Sequence, residues 1–395
     1  MAACHGSGSL TTSRDILLDV SRLIWRAWRG KLPTGIDRVC LAYLEHFKGR
    51  ARAVVQRKGL RFILSNADSD RLFGLILERP AATRLDWIEL ALALSPSLLR
   101  RQTSAGSIYL NVGHTGLDEP SLPHWIAENR LRAVFMVHDL IPLTHPQFCR
   151  AGEARKHERR ITNMIASASG IIGNSVATLF ELEQFAGSQS RSLPPTIAAL
   201  IAGHQPSLPS SSAQSVSPYF ITLGTIEGRK NHVLLLRIWQ RLVRDLASEA
   251  PKLMIVGQRG WEADEAFAIL DDPGDLNGVV VEMSDCDDEQ LECLISGSRA
   301  LLMPSFVEGF GLPVTEALQL STPVIASDLP VYREIAGEIP TFLDPLDENG
   351  WEVMIRQFLE DGAERQRQLV AMPAYLAPSW PEHFRRVEAW LETIA

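Results

Sequence analysis

Two periodicities alternate along the chain. Short, near-continuous runs of Val, Ile, Leu and Ala occur in the first half at Ile16–Val20, Ile108–Val112, Ala133–Val137 and Gly170–Gly173, separated by segments with helical spacing of apolar positions. The second half repeats the scheme at Tyr219–Gly224, Lys252–Gly257, Gly278–Glu282, Ala300–Pro304 and Pro323–Ser327. Their shortness and regular spacing favour buried strands of parallel sheets, covered on both faces by the intervening helices. One segment breaks the pattern: Gln205 to Pro218 is rich in Ser and Pro and predicts an exposed linker. The chain therefore divides into α/β units over 1–205 and 218–380, joined by 206–217. Beyond Pro381, Phe384, Val387, Trp390 and Leu391 recur at helical spacing. This last helix, 381–395, is expected to pack back on the first unit.

Composition narrows the function. A length of 395 residues suits two domains. With 46% hydrophobic and 22% charged residues, the composition is that of a soluble globular protein. A net charge of −8 argues against a nucleic-acid partner, though not against local basic patches. The five cysteines (Cys4, Cys40, Cys149, Cys286, Cys293) form no CxxC pair and show no metal-ligand spacing, the usage of reduced thiols in a cytosolic chain. Met1 to Arg14 lacks the apolar core of a signal peptide, and no run approaches the ~18 apolar residues of a membrane span. A cytoplasmic location is expected, with surface contact the most that a membrane would provide.

The most informative chemistry lies at Pro304–Glu316, where a buried strand leads through a Gly-rich turn into a helix. Gly309 and Gly311 remove side chains where backbone must approach a ligand. Pro313 suits the first helical position. The helix N-terminus offers free N–H groups and partial positive charge to a diphosphate. Glu316, in the first turn, can accept from two vicinal hydroxyls of a ribose, and Glu308 can reach a sugar beyond the phosphates. A lone Glu here would be a solvated or dipole-complementing residue; two bracketing a Gly-rich turn are read as functional.

Glu308 to Glu316, written Glu-Gly-Phe-Gly-Leu-Pro-Val-Thr-Glu, resembles the E-x7-E signature of the retaining glycosyltransferases of family 4, close to bacterial polysaccharide mannosyltransferases. Ser321–Ser327 resembles the strand that follows in that family. The resemblance is close over the second half and looser over the first. It implies an α/β fold of the GT-B type, two Rossmann-like domains with parallel sheets facing across a cleft. The first would bind acceptor and the second the nucleotide sugar.

Further segments extend it. Gly224-Thr-Ile-Glu-Gly-Arg229-Lys230 is similar to the family's phosphate-binding turn, where two cations neutralise charge on a departing diphosphate. Many members carry Arg directly after the glycine; here Thr225 stands there, leaving the grip to Arg229 and Lys230. His138, at the end of Val134–Val137, matches a family histidine that contacts the donor sugar, and Asp139 beside it reads as a structural cap or turn residue. Pro33-Thr34-Gly35-Ile36-Asp37-Arg38 resembles the first glycine-rich loop, with Gly35 its best ligand-facing residue and Arg38 a weaker one. Ser175 reads as an N-cap. Val256-Gly-Gln258-Arg-Gly-Trp261 is similar to a mannosyltransferase segment with Lys at the position of Gln258, and tilts the donor toward GDP-mannose. The base pocket is expected at the Glu282–Asp285 turn.

The catalytic set implied is His138, Arg229, Lys230 and Glu308. Donor binding falls to Gly35, Gly224, Thr225, Arg229, Lys230, Glu308, Gly309, Phe310, Gly311, Leu312 and Glu316. No metal or other cofactor is expected, because side-chain cations replace a divalent ion. The resemblance implies transfer of a hexose from a nucleotide sugar, with retention, to a growing and lipid-linked glycan. UDP- or dTDP-sugars are the alternative donors. An inverting enzyme, an epimerase, a non-catalytic nucleotide-sugar-binding paralogue and a membrane-associated scaffold are the rivals. Arg22-Leu-Ile-Trp25-Arg26-Ala-Trp28-Arg29-Gly-Lys31 and the cluster Arg155-Lys156 to Arg159-Arg160 have the mix of an interfacial surface. The simpler reading, preferred here, packs Leu23, Ile24 and Trp28 inward and leaves the cations in solvent.

Overall fold

The computed structural model describes residues 14–29, 35–78, 104–204 and 218–394. Pro33, Thr34, Lys31, Cys4 and the Ser/Pro-rich linker therefore lie outside the described residues. Two sheets form. The first takes β1 (Ile16–Asp19), β2 (Ala51–Arg57), β3 (Leu60–Ile63), β4 (Ile108–Asn111), β5 (Arg132–Val137), β6 (Ala168–Gly173) and β7 (Thr196–Ala198), in the order β3-β2-β1-β4-β5-β6-β7. The second takes β8 (Tyr219–Leu223), β9 (Lys252–Val256), β10 (Val280–Met283), β11 (Leu301–Met303), β12 (Val324–Ser327) and β13 (Thr341–Leu343), in the order β10-β9-β8-β11-β12-β13. All pairings are parallel except β2 with β3.

Burial explains the runs. In β1, Ile16 and Leu18 enter one core cluster and Leu17 another, so both faces of the strand are covered. Phe220 and Ile221 of β8 divide in the same way. Each sheet reverses its strand order at one point, between β1 and β4 and between β8 and β11. Ligands in such sheets bind in the crevice beyond the carboxyl ends of the strands at that reversal.

The helix Trp380–Thr393 lies against the first sheet's layer. The Tyr43 hydroxyl donates to His383 Nε2 at 2.8 Å, and His383 Nδ1 donates to the Leu200 carbonyl at 3.1 Å. The Phe384 ring packs against Tyr43 and Phe47, and Trp390 covers Gly170 so closely that a Cβ there would meet its ring at 2.5 Å.

Candidate active site

The second sheet's crevice is built by the segments after β8 and β11. Gly224 closes β8 at φ 120°, a left-handed conformation suited to glycine. The chain then makes a single turn, Gly228–Lys230, before the helix His232–Leu246. This turn aims both cations at the segment after β11. Arg229 NH1 donates to Glu308 Oε2 at 2.7 Å, Lys230 Nζ to Glu308 Oε1 at 2.5 Å, and Arg229 NH2 pairs with Glu227 at 2.6 Å. Ser305 adds a hydrogen bond to Glu308 at 2.7 Å.

Glu308 is thus no solvated loop residue; its side chain is 6% exposed. Burial by itself would raise its carboxyl, but Arg229 and Lys230 outweigh that and hold it down at about 2. Burial pushes the Lys230 ammonium down, against the pull of Glu308, and burial raises the Glu227 carboxyl. Two cations and two carboxylates form a closed quartet, so an entering diphosphate has to take over cations that carboxylates now hold.

Gly309 to Glu316 turns toward the first domain. A Cβ on Gly309 would lie 2.8 Å from the His138 carbonyl oxygen, so only glycine permits the approach. Gly311 has φ 104° and packs on the Tyr332 ring, Phe310 is buried, and Leu312 opens the helix Leu312–Gln319. Glu316 is largely buried, which raises its carboxyl. It accepts from the His204 backbone N–H at 3.2 Å and faces Arg38 at 3.5 Å. These groups, with Asp288, Leu291, Glu292, Ile295 and Leu320, line a narrow recess of about 20 Å³. Asp288 pairs with Arg38 at 2.8 Å and Glu292 with His204 at 2.9 Å. In the turn expected for the base, Glu282 pairs with Arg259 at 2.8 Å, and the recess at Glu316 is lined by the next helix, Asp288–Ser296.

The first-domain wall comes from the ends of β4, β5 and β6. His138 is buried, with Nε2 on the Val112 carbonyl at 2.7 Å; burial lowers its pKa. Asp139 accepts from the Ile141 N–H two residues on, a turn bond ahead of the helix whose N-cap is Leu140, and Ser175 is an N-cap that accepts from the Thr178 N–H. Asn174, assigned no role from the sequence, bridges the domains: its amide donates to the carbonyls of His138 at 2.7 Å and Gly309 at 3.1 Å. Glu334 of the second domain accepts from the Val176 and Ala177 N–H groups at 2.7 and 3.0 Å. His114, also missed, lies beside His138 with ring centroids 4.9 Å apart. It follows a strand end just as His138 does, and that parallel was the available signal.

Between the walls lies a solvent-open cleft of about 1110 Å³, lined by Gly35, His138, Gly224, Thr225, Arg229, Lys230, Glu308 to Leu312 and Glu316 among others. Every candidate site residue borders it. The reading of Arg22–Lys31 needs correction. Leu23 is buried, but Trp28 is 38% exposed, and Arg22 and Arg26 pair with the buried Asp37 at 2.6 and 2.8 Å instead of standing in solvent. A buried carboxylate needs such partners, and it draws these cations onto the cleft wall. Among the described residues no helix is long and apolar enough to cross a membrane.

Known proteins share both the motifs and the architecture. Residues 207–371 match the family described as glycosyl transferases group 1. The matched stretch takes in the second sheet with its helices and the segments carrying Arg229, Lys230, Glu308 and Glu316. The chain is 31% identical over 222 residues to the serotype-specific mannosyltransferase WbdA of Escherichia coli, covering 52% of this chain but 27% of that protein. It is 28% identical over 252 residues to the O-antigen chain mannosyltransferase B of Escherichia coli, covering 62% of this chain and 66% of that one. The chain thus spans about a quarter of the length of WbdA. Among solved structures, Anabaena Alr3699/HepE in complex with UDP aligns with TM-score 0.65 at 13% identity, over 96% of this chain and 99% of that one. Sucrose-phosphate synthase from Thermosynechococcus elongatus aligns with TM-score 0.61 at 16% identity, over 96% and 98%. The fold is that of the GT-B glycosyltransferases.

Proposed function

We propose that this glycosyltransferase moves mannose from GDP-mannose, with retention and without a metal, onto a hydroxyl of a growing bacterial polysaccharide whose chain is lipid-linked. The observation that carries the reading is the quartet of Arg229, Lys230, Glu308 and Glu227 beside a helix N-terminus, facing His138 across the cleft. Arg229 and Lys230 offer two fixed positive charges where a diphosphate leaving group gains charge. Glu316 holds the ribose hydroxyls, with the base on the side of the recess lined by Asp288 and Leu291. His138 contacts the sugar. The acceptor hydroxyl enters on the face the diphosphate leaves, a phosphate oxygen takes its proton, and the chain's part is positioning and charge stabilisation.

The choice of mannose and of a polysaccharide acceptor leans on the two Escherichia coli mannosyltransferases. The decisive experiment supplies GDP-mannose, UDP-glucose and dTDP-sugars to the chain with simple glycoside acceptors and follows the anomeric configuration by NMR. An α-linked mannoside from GDP-mannose, formed equally well in excess EDTA, is expected. A β-linked product, or activity lost to EDTA and rescued by Mg²⁺, would overturn the mechanism; turnover of UDP-glucose alone would overturn the donor.

A further inference from the structure

The loop Gly113-His114-Thr115-Gly116 follows β4 at the strand-order reversal of the first sheet and lines the cleft. His114 sits at φ 61°, in the left-handed region where a residue with a full side chain is uncommon. Such conformations persist only where the surroundings over-determine them, and they cluster at functional sites. Here the surroundings are a buried polar frame. The amides of Gln56 and Asn111 donate to the Thr115 carbonyl at 2.7 and 3.0 Å, and the Gly113 N–H donates to Asn111 at 3.2 Å. Gln56 is anchored in turn on the buried Asp19, at 2.5 Å. A Cβ on Gly116 would collide with the Gln56 amide at 2.1 Å, so the frame fills the space under the loop.

The ring is oriented as tightly as the backbone. His114 Nε2 lies 2.7 Å from the Met136 carbonyl. A carbonyl only accepts, so Nε2 carries the proton. In the uncharged ring Nδ1 is then a bare acceptor, and it makes no hydrogen bond among the described residues. Burial, and then the neighbouring His138 and His157, keep the ring from protonating. His138 lies between Gly309 of the second domain and His114, since Gly309 packs on the His138 carbonyl and the two rings are 4.9 Å apart. His114 thus stands on the first-domain wall of the cleft, on the far side of His138 from Gly309, while the cations Arg229 and Lys230 stand on the second.

Resting on the reading of the cleft as a glycosyl-transfer site, we propose that His114 contacts the acceptor, its Nδ1 accepting a hydrogen bond from a hydroxyl of the acceptor glycan. The strained loop and its polar frame are then the support that holds this ring in place.

The test compares the full-length wild type with His114→Gly and His114→Asn, using GDP-mannose as donor and methyl α-mannoside as acceptor probe. Gly and Asn both tolerate the left-handed backbone, so both variants should keep the melting temperature within a few degrees. Transfer by His114→Gly should fall about tenfold or more, mainly through the acceptor KM, the order expected for one lost hydrogen bond. Asn, whose side chain can still accept, should keep more activity. GDP affinity and acceptor-free hydrolysis of GDP-mannose should change less than twofold. Hydrolysis falling in step with transfer would put His114 on the donor and overturn the proposal, as would unchanged transfer or equal loss in the two variants. A wild type inert toward GDP-mannose would strike the functional reading instead. The inference is then decided by NMR: the Nδ1 nitrogen resonance of His114 should shift on titrating methyl α-mannoside into the GDP-bound protein, and an unmoved resonance would overturn it.

Discussion

Glu308 stays ionised in any ordinary assay buffer, because Arg229 and Lys230 hold its carboxyl at about 2 against the effect of burial. A depressed carboxyl stabilises the fold fully above its unfolded value of 4.5, and that contribution is lost as pH falls from there to about 2. Activity below neutrality will therefore not be limited by Glu308. Lys230 is the more exposed to mutation in its function. On the proposed mechanism its charge faces a leaving group that becomes more negative in the transition state, so Lys230→Ala should lower kcat on the order of a hundredfold as well as raise KM. A change in KM alone would mean that the lysine binds ground and transition states equally and is not catalytic. Glu316→Gln probes the other end of the donor. Hydrogen bonds to a charged acceptor contribute roughly 1.5–3 kcal/mol, so GDP affinity should drop about tenfold to a hundredfold with the melting temperature of the unliganded protein held. Unchanged affinity in a calorimetric titration would remove Glu316 from the ribose.

At the level of elements, the sequence pattern was readable wherever a strand is buried on both faces. All nine apolar runs form strands, because a covered parallel strand leaves few polar positions to blur the signal. The strands not foreseen lack that signature. β2 carries Arg52, Gln56 and Arg57 along its length, and β3 pairs antiparallel at the edge with Leu60 65% exposed. β7 and β13 are three residues each, too short for any periodicity. Within the site, the Arg229–Lys230 turn and the Glu308–Glu316 segment were legible because each is local. The contacts of Arg38 with Glu316 and of Asn174 with Gly309 join distant parts of the chain and leave no local trace. The helix Trp380–Thr393 shows what such a long-range contact does. Burial depresses His383 from 6.5 to about 4, so the folded state resists a proton that the unfolded chain binds. Stability is unaffected above about pH 6.5 and declines as pH falls toward 4. At pH 5 this one residue should take away about 2 kcal/mol. His383→Gln should therefore flatten the fall in melting temperature between pH 7 and 5, whatever it does to stability at pH 7. An identical pH slope in the variant would show that His383 titrates freely.

Across the whole molecule, the two domains meet through large side chains, with Phe148 stacked on Phe306 and Arg150 over the Trp261 ring, and through backbone groups. Asn174 gives its amide to a carbonyl on each domain, Gly309 is pressed onto the end of β5, and Glu334 of one domain caps the helix Val176–Ser188 of the other. The Gly309 segment leads directly into the helix Leu312–Gln319, the proposed phosphate site, so the same hydrogen bonds that hold the domains together also set the proposed donor loop. The cations and Glu316 lie on the second domain, whereas His138 and the acceptor wall lie on the first. Loosening the junction should therefore separate two quantities that an intact enzyme keeps coupled. Asn174→Ala leaves the His138 and Gly309 carbonyls without this donor in a buried setting, a loss of about 1–3 kcal/mol that falls on the closed arrangement. Transfer should drop tenfold or more, since the sugar contact across the cleft is no longer held. GDP affinity should change less than threefold, because the proposed phosphate and ribose contacts, Arg229, Lys230 and Glu316, lie on the second domain. Hydrogen exchange should quicken in the Gly309–Glu316 segment and remain at wild-type rates in β8 and β9. If GDP affinity instead fell in step with transfer, donor binding would itself depend on the closed form, and the division of labour between the domains would be wrong.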